Sequence, residues 1–316
     1  MIAFLFPGQG SQKVGMGRAL ADAFPEARAT FEEADAALAR DGGTPLSEIV
    51  FDGPEDRLTL TEHTQPAILT VSIAACRVLA ARGIEPGFVA GHSLGEYSAH
   101  VAAGTIEFAD AVRIVRRRGR YMQEAVPVGD GAMAAILGLD AGAVRQACEE
   151  AAQGEVVSPA NINGAGQVVI AGAAAAVQRA CERARARGAK RAIPLAVSAP
   201  FHCALMQPAQ DRLAPELRAL AVRPPRVPVV TNVDAEPTRD AAAAIEALVR
   251  QVSAPVRWEE VMRRLAAEGA TTFVEVGPGT VLSGLARKIL PGAAVLNFGT
   301  PDDLAPVTRA ILQAQP

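Results

Sequence analysis

Residues 90–100 read AGHSLGEYSAH and place Ser93 between Gly91 and Gly95, directly after His92. A short apolar run leads in and a helix-like stretch leads out. G-x-S-x-G at such a junction is the pattern of a nucleophile elbow. The glycines permit a sharp turn and the serine hydroxyl stands clear. The backbone N–H of Leu94 then points to where an oxyanion would form, with the positive end of the next helix behind it. The same five residues fit equally well a strand–turn–helix corner in which Ser93 only caps the helix.

A serine hydroxyl is a weak nucleophile without a base. The chain has four histidines: His63, His92, His100 and His202. An elbow aims the neighbours of its serine away from it, so His92 and His100 read as packing residues. His63, ahead of TQPAI, reads as a surface residue. His202 lies far downstream in SAPFHCALM, and distant segments that converge are the usual source of a serine–histidine pair. Composition and spacing alone do not select it. Asp110, Asp130 and Asp140 fall between Ser93 and His202, where a hydrolase acid would lie, but none sits in a strand-end loop. RIVRRRGR supplies cations at Arg113, Arg116, Arg117, Arg118 and Arg120. Successive helical side chains point about 100° apart, so the three consecutive arginines cannot share a face. Spacing leaves open which one turns inward.

Other motifs carry less. GQGSQKVGMG is glycine-rich, but Lys13 stands where a dinucleotide fingerprint needs its third glycine, and the Gly-Lys-Ser/Thr of a phosphate loop is missing. It reads as a loop that positions the Gln9 amide. EVGPG reads as a strand-to-helix turn with Glu275 structural. Glu96 and Tyr97 read as anchors of the elbow helix.

These residues need elements to position them. A strand is expected at 2–6 and helices at about 17–38 and 65–81. The strand–Ser93–helix unit ends near Gly104, and another helix covers 108–124. Residues 126–197 change pattern. AMAAILGL, VVSPANI, QVVIAG and KRAIPLAV read as strands, AGAVRQACEEAAQ and AAAVQRACERARARG as helices. The order β-α-β-β-α-β is a split βαβ arrangement that closes on itself as a small inserted domain. The larger pattern resumes with helices at 204–220, 241–252 and 258–268, strands at 227–230 and TFVEV, and a final helical segment after GPG. Strands alternating with helices predict an α/β fold with a mostly parallel sheet covered on both faces. The division expected is a catalytic domain of 1–125 and 198–316 with 126–197 inserted.

At 316 residues and 50% hydrophobic content, the chain is long enough for that core. A net charge of −3 without a polybasic tail excludes a nucleic-acid partner. No apolar run approaches the roughly 20 residues of a membrane span, and the N-terminal apolar stretch, ending at Pro7 without a basic lead, is not a signal peptide. Four scattered cysteines form no C-x-x-C and no metal spacing with histidine, which suits a reducing, cytoplasmic setting and no metal.

Taken in order, FPGQGSQKVGMG, GHSLGEYSAHVAAG, RRRGRYMQEAVP, NINGAGQVVIAG, SAPFHCALMQPA, VPVVTNVD, LVRQVSAPVRW and EVGPGTVLSGL resemble the bacterial malonyl-CoA:acyl carrier protein transacylases over nearly the whole chain. The resemblance implies an α/β-hydrolase-like large domain with a ferredoxin-like insertion. It implies that Ser93 attacks the thioester of malonyl-CoA, that His202 takes and returns the proton, and that the backbone N–H groups of Gln9 and Leu94 form the oxyanion hole. Arg118 would pair with the malonyl carboxylate, and the backbone carbonyl of Gln251 would orient His202 in place of a hydrolase acid. Asn161 falls in a family motif near the pocket, with turn capping as its other reading. It further implies an acyl carrier protein as partner, no cofactor and a monomer. One departure stands out. Many fatty-acid-synthesis members have serine before this histidine, whereas this chain has Phe201, similar to malonyl-selective polyketide acyltransferases. A ring there would exclude α-branched groups such as methylmalonyl. The pathway of the carrier stays open. ERARARGAKR, with Arg185, Arg187 and Lys190, reads as a solvated basic face that would also steer an acidic carrier. The competing readings are a thioesterase using water at the same serine, a trans-acting polyketide acyltransferase, and a carrier-docking subunit with a silent site.

Overall fold

The computed structural model of the protein describes residues 1–39 and 44–313. Its strands are β1 (Ile2–Phe6), β2 (Phe88–Gly91), β3 (Gly131–Leu137), β4 (Val157–Gly164), β5 (Gln167–Ala173), β6 (Arg191–Pro194), β7 (Val229–Val230), β8 (Pro237–Thr238), β9 (Thr272–Val276) and β10 (Ala294–Phe298). They form two sheets. The larger runs β10-β9-β1-β2-β7-β8 and is parallel except for the β7–β8 pair. The smaller runs β4-β5-β3-β6 and is antiparallel throughout, the spatial order of a split βαβ unit. The expected fold class is therefore present.

Alternation along the strands decides what each layer covers. In β1, Phe4 and Phe6 enter one apolar cluster with the helices Thr61–Ala80 and Phe108–Glu124, while Ala3 and Leu5 enter another with Trp258, Phe273 and Leu282. A strand buried on both faces reads as an unbroken apolar run, as IAFLF does. In β5, Val168 and Ile170 face the helices Ala141–Ala152 and Ala174–Ala186, while Val169 and Ala171 join the main core. The small sheet thus has its own core and also presses on the large one.

Several boundaries differ from expectation. The helix expected at 17–38 is two, Arg18–Ala23 and Pro25–Leu38, because Phe24 is extended (φ −131°, ψ 124°) ahead of Pro25, where a proline ring disfavours helical backbone in its predecessor. The next long helix starts at Thr61, not 65, and contains Pro66. The strand at 227–230 shrinks to two residues, Val229–Val230, directly after Pro228, which offers no N–H to a ladder. Short helices Leu46–Asp52 and Glu55–Thr59, the edge strand β10 and the helix Leu304–Gln313 were not anticipated. β10 is half-buried, so its apolar signal is weak.

Ser93 stands just past the carboxyl end of β2, the end at which open parallel sheets bind ligands. Its φ of 53° is unusual for a side-chain-bearing residue. Both glycines of the motif are sterically required. A Cβ on Gly91 would lie 1.9 Å from the Gly95 carbonyl carbon, and one on Gly95 would lie 2.0 Å from the Phe6 oxygen. Gly95→Ala is expected to lower the unfolding free energy by about 3 kcal/mol, measured by urea denaturation. Gly284→Ala, in a helix with open space around it, should stabilise by about 0.5–1 kcal/mol.

Candidate active site

Ser93 and His202, 109 positions apart, meet at 2.6 Å between Oγ and Nε2. The imidazole tautomer follows from its other nitrogen. Nδ1 lies 2.9 Å from the backbone oxygen of Gln251, and a carbonyl only accepts. Nδ1 therefore carries the hydrogen, and Nε2 accepts from the serine hydroxyl. Burial, with Arg118 nearby, lowers the His202 pKa to about 3, against the smaller opposing pull of backbone hydrogen bonds. The imidazole is a neutral base at physiological pH. His202 also has a positive φ, 61°, so Ser93 and His202 both occupy sparsely populated backbone that surrounding contacts must hold.

Arg118 is 2% exposed. It donates from Nη1 to Gln65 Oε1 at 2.8 Å, and from Nη2 to Gln251 Oε1 at 2.9 Å and Ser93 Oγ at 3.2 Å. Its Nε has no hydrogen-bond partner. A guanidinium has five N–H donors, so capacity for an incoming carboxylate remains. The helix Phe108–Glu124 brings it in because Gly119 lies close against the Thr61–Ala80 helix; a Cβ there would sit 2.5 Å from the Thr61 oxygen. Arg117 turns outward to Glu216 at 2.7 Å, as the 100° rotation per residue requires.

Ser93, Arg118, His202, Phe201, Gln9 and Asn161 all line one cavity of about 310 Å³. Asn161 belongs to β4 beside a register irregularity, so it caps no turn. Leu94, 1% exposed, opens the helix after Ser93, and the first backbone N–H groups of a helix have no partner within it. Gly8 lets the Gln9 loop approach the elbow, since a Cβ there would lie 2.5 Å from the His92 oxygen.

The structure also shows residues that sequence reasoning missed or placed differently. Asn232 accepts from the Ser93 N–H at 2.7 Å and donates to the Gly91 oxygen at 2.7 Å. Gln65 and the side chain of Gln251 were not foreseen. TQPAI and LVRQVSAP offer nothing to separate such glutamines from core residues. His63, expected at the surface, is buried: it lies in the first turn of a helix whose next turns are all core. His92 bonds Asn163 at 2.9 Å and its ring lies tilted against Trp258, the centroids 5.5 Å apart. Asp110 pairs with Arg113 and Asp140 caps a helix, so neither serves His202. Glu275 accepts from the N–H groups of Leu282 and Ser283 and is structural. Arg187 is paired with Glu150 and Arg185 bonds the Ala192 oxygen, which leaves Lys190 as the freer member of the proposed steering patch. Among the described residues no cluster of three His, Cys, Asp or Glu could hold a metal, all four cysteines are free, and no helix is long and apolar enough to cross a membrane.

Fold and geometry together define an α/β protein arranged for acyl chemistry at a serine beside a buried cation. The acyl transferase domain family matches residues 3–292, and the chain belongs to that family. It is 52% identical over 304 residues to the malonyl CoA-acyl carrier protein transacylase of Escherichia coli K12, covering 96% of this chain and 97% of the relative. Among solved structures, an acyl carrier protein S-malonyltransferase from Vibrio cholerae superposes with a TM-score of 0.94 at 48% identity, covering 97% of this chain and 99% of the other. A type II PKS acyl-carrier protein in complex with its malonyl-transacylase gives 0.94 at 48% identity, with 98% and 99% covered.

The lowered His202 pKa has a sign. The folded state keeps this imidazole neutral, whereas the unfolded chain protonates it below about 6.5, so its contribution to stability is full above that pH and is lost as the pH falls toward 3. In an NMR titration from pH 8 to 5, the His202 ring resonances should stay at their neutral positions, while those of a free histidine move with a midpoint near 6.5.

Proposed function

We propose that this chain transfers a malonyl group from malonyl-CoA to the phosphopantetheine thiol of an acyl carrier protein, through a malonyl ester on Ser93. The observation that carries the reading is the convergence on one atom: Ser93 Oγ touches the base His202 and the buried cation Arg118. Burying a free carboxylate without a partner is costly. A site that already buries a guanidinium beside its nucleophile favours an acyl group with a carboxylate over acetyl.

The steps follow. Ser93 Oγ bonds to the thioester carbon as its proton passes to His202 Nε2, a transfer worth about 10²–10⁴-fold. The oxyanion faces the N–H groups of Gln9 and Leu94, each such donor contributing about 10²–10³-fold. The carbon–sulfur bond breaks and the departing CoA sulfur takes the proton from His202. The carrier thiol then gives its proton to the same nitrogen, attacks the ester, and Ser93 leaves with the proton. The imidazole is held by the Gln251 carbonyl, and no acid is needed. The carrier is supported by the neighbouring complex of a malonyl-transacylase with an acyl-carrier protein, and the intervals 1–125 with 198–316, and 126–197, serve as the two domains that enclose the cleft.

Labelled malonyl-CoA without carrier should give a stable one-to-one adduct on Ser93, read by mass spectrometry. Continuous release of malonate would instead indicate a thioesterase, and no adduct a silent docking subunit. Arg118→Ala should slow malonyl transfer about a hundredfold, roughly 3 kcal/mol, and raise the relative use of acetyl-CoA; an unchanged malonyl preference would remove Arg118 from this role. Phe201→Ser should open the cavity to methylmalonyl-CoA, raising its adduct yield about tenfold relative to malonyl.

A further inference from the structure

Gln251 is fully buried, and its amide has only one workable orientation. Arg118 has donors only, so the oxygen of the amide must face it, as it does at 2.9 Å. The amide nitrogen then needs acceptors. It finds the Ser93 oxygen at 2.9 Å and Glu96 Oε2 at 2.7 Å. The same carboxylate oxygen accepts from the Asn232 N–H at 3.0 Å, and Asn232 in turn holds the Ser93 N–H. Glu96 is fully buried and lies outside the cavity lining, so it acts through other residues. Two arms leave this one oxygen, one to Arg118 through Gln251 and one to the elbow through Asn232.

We propose that Glu96 is a specificity-positioning residue whose Oε2 locks the Gln251 amide, and through it Arg118, in the orientation that receives a free carboxylate. The proposal rests on the malonyl-transfer reading above.

What position 96 must supply is an acceptor rather than a charge. Oε1 has no hydrogen-bond partner and stands 4.0 Å from His100 Nε2. It is the oxygen that takes a proton, while Oε2 keeps both donors in either state. Burial pushes the carboxyl up to about 7, with the Gln251 and Asn232 bonds opposing, so both states are populated near neutrality. A glutamine at 96 can present its oxygen to the same two donors; an alanine cannot.

The test is the rate of Ser93 acylation by malonyl-CoA and by acetyl-CoA, without carrier, in Glu96→Gln, Glu96→Asp and Glu96→Ala, with thermal unfolding measured for each. Glu96→Ala should lower acylation by malonyl-CoA about tenfold more than acylation by acetyl-CoA, any loss shared by both substrates reporting the arm to the elbow, and Glu96→Gln should restore the malonyl-to-acetyl ratio to within about twofold. If Glu96→Ala does not fold, Glu96→Asp, which withdraws the acceptor by one methylene, should still lower the ratio about threefold. A wild-type ratio in the folded alanine or aspartate variant, an equal loss with both substrates, or a glutamine variant as impaired in ratio as the alanine overturns the inference alone. Absence of any malonyl adduct on the unaltered protein overturns the function proposed above, and this inference with it.

Discussion

A guanidinium held out of water at the floor of a cleft is the constraint around which this molecule is organised. Arg118 is 2% exposed, and its direct hydrogen-bond partners are neutral oxygens of Gln65, Gln251 and Ser93, with the Tyr97 ring 5.3 Å from its carbon. A buried charge satisfied by dipoles alone is less stable than one paired with an opposite charge. Desolvation accordingly lowers the Arg118 pKa from its usual value. Glu96 and Tyr97 oppose that shift only in part, so a guanidinium placed this way gains from an entering anion, which is the basis of the selectivity proposed above.

The fold exists to hold this arrangement still. Three segments far apart in sequence supply Ser93, Arg118 and His202, and each arrives on a rigid element or its end. The elbow is pinned by two glycine contacts that tolerate no extra carbon. The arginine comes on a helix that Gly119 allows to nest on its neighbour, and the histidine is oriented from the end of the Ala241–Gln251 helix. Gln251 ties all three together: its carbonyl accepts from the imidazole, its amide oxygen from the guanidinium, and its amide nitrogen donates to the serine carbonyl. Ser93 and His202 both stand at positive φ, so relaxation of any one support would let the backbone leave these sparsely populated conformations.

What was legible in the sequence divides along physical lines. Local signals read well: the G-x-S-x-G turn and the βαββαβ order of 126–197 are consequences of short-range geometry, whereas the rotation per residue excluded a shared face for the three arginines without choosing Arg118, which only the resemblance did. The helix break at Phe24 was also written locally, in the proline that follows it, but the apolar periodicity across the break concealed it. Long-range pairing was not legible from residue types. Nothing near His202 announces Ser93 as its partner; only resemblance to known relatives joined the two. Gln65 and the Gln251 side chain escaped because a buried amide looks, in sequence, like any polar residue on an amphipathic helix, and Asn232 because it looks like an ordinary turn residue after a strand. His63 misled for the reverse reason, a polar residue at a helix start that the fold happens to bury.

The absence of a carboxylate behind the histidine fits the chemistry of exchange between thiols. An acid adjacent to the imidazole would stabilise its protonated form; here a neutral carbonyl stands in that place, while burial and Arg118 both disfavour the imidazolium. A base that holds its proton weakly returns it readily to a departing sulfur, so proton acceptance and return are matched in both half-reactions. A thiolate is a good leaving group and a good nucleophile at once, which makes a strongly stabilised imidazolium unnecessary in either direction. In the mechanism proposed above, selectivity against water would fall to Arg118 and the cleft, because an ester clamped by its charge would leave a small nucleophile little freedom to find a line of attack. A weakly basic imidazole beside a buried guanidinium thus suits reversible transfer rather than hydrolysis.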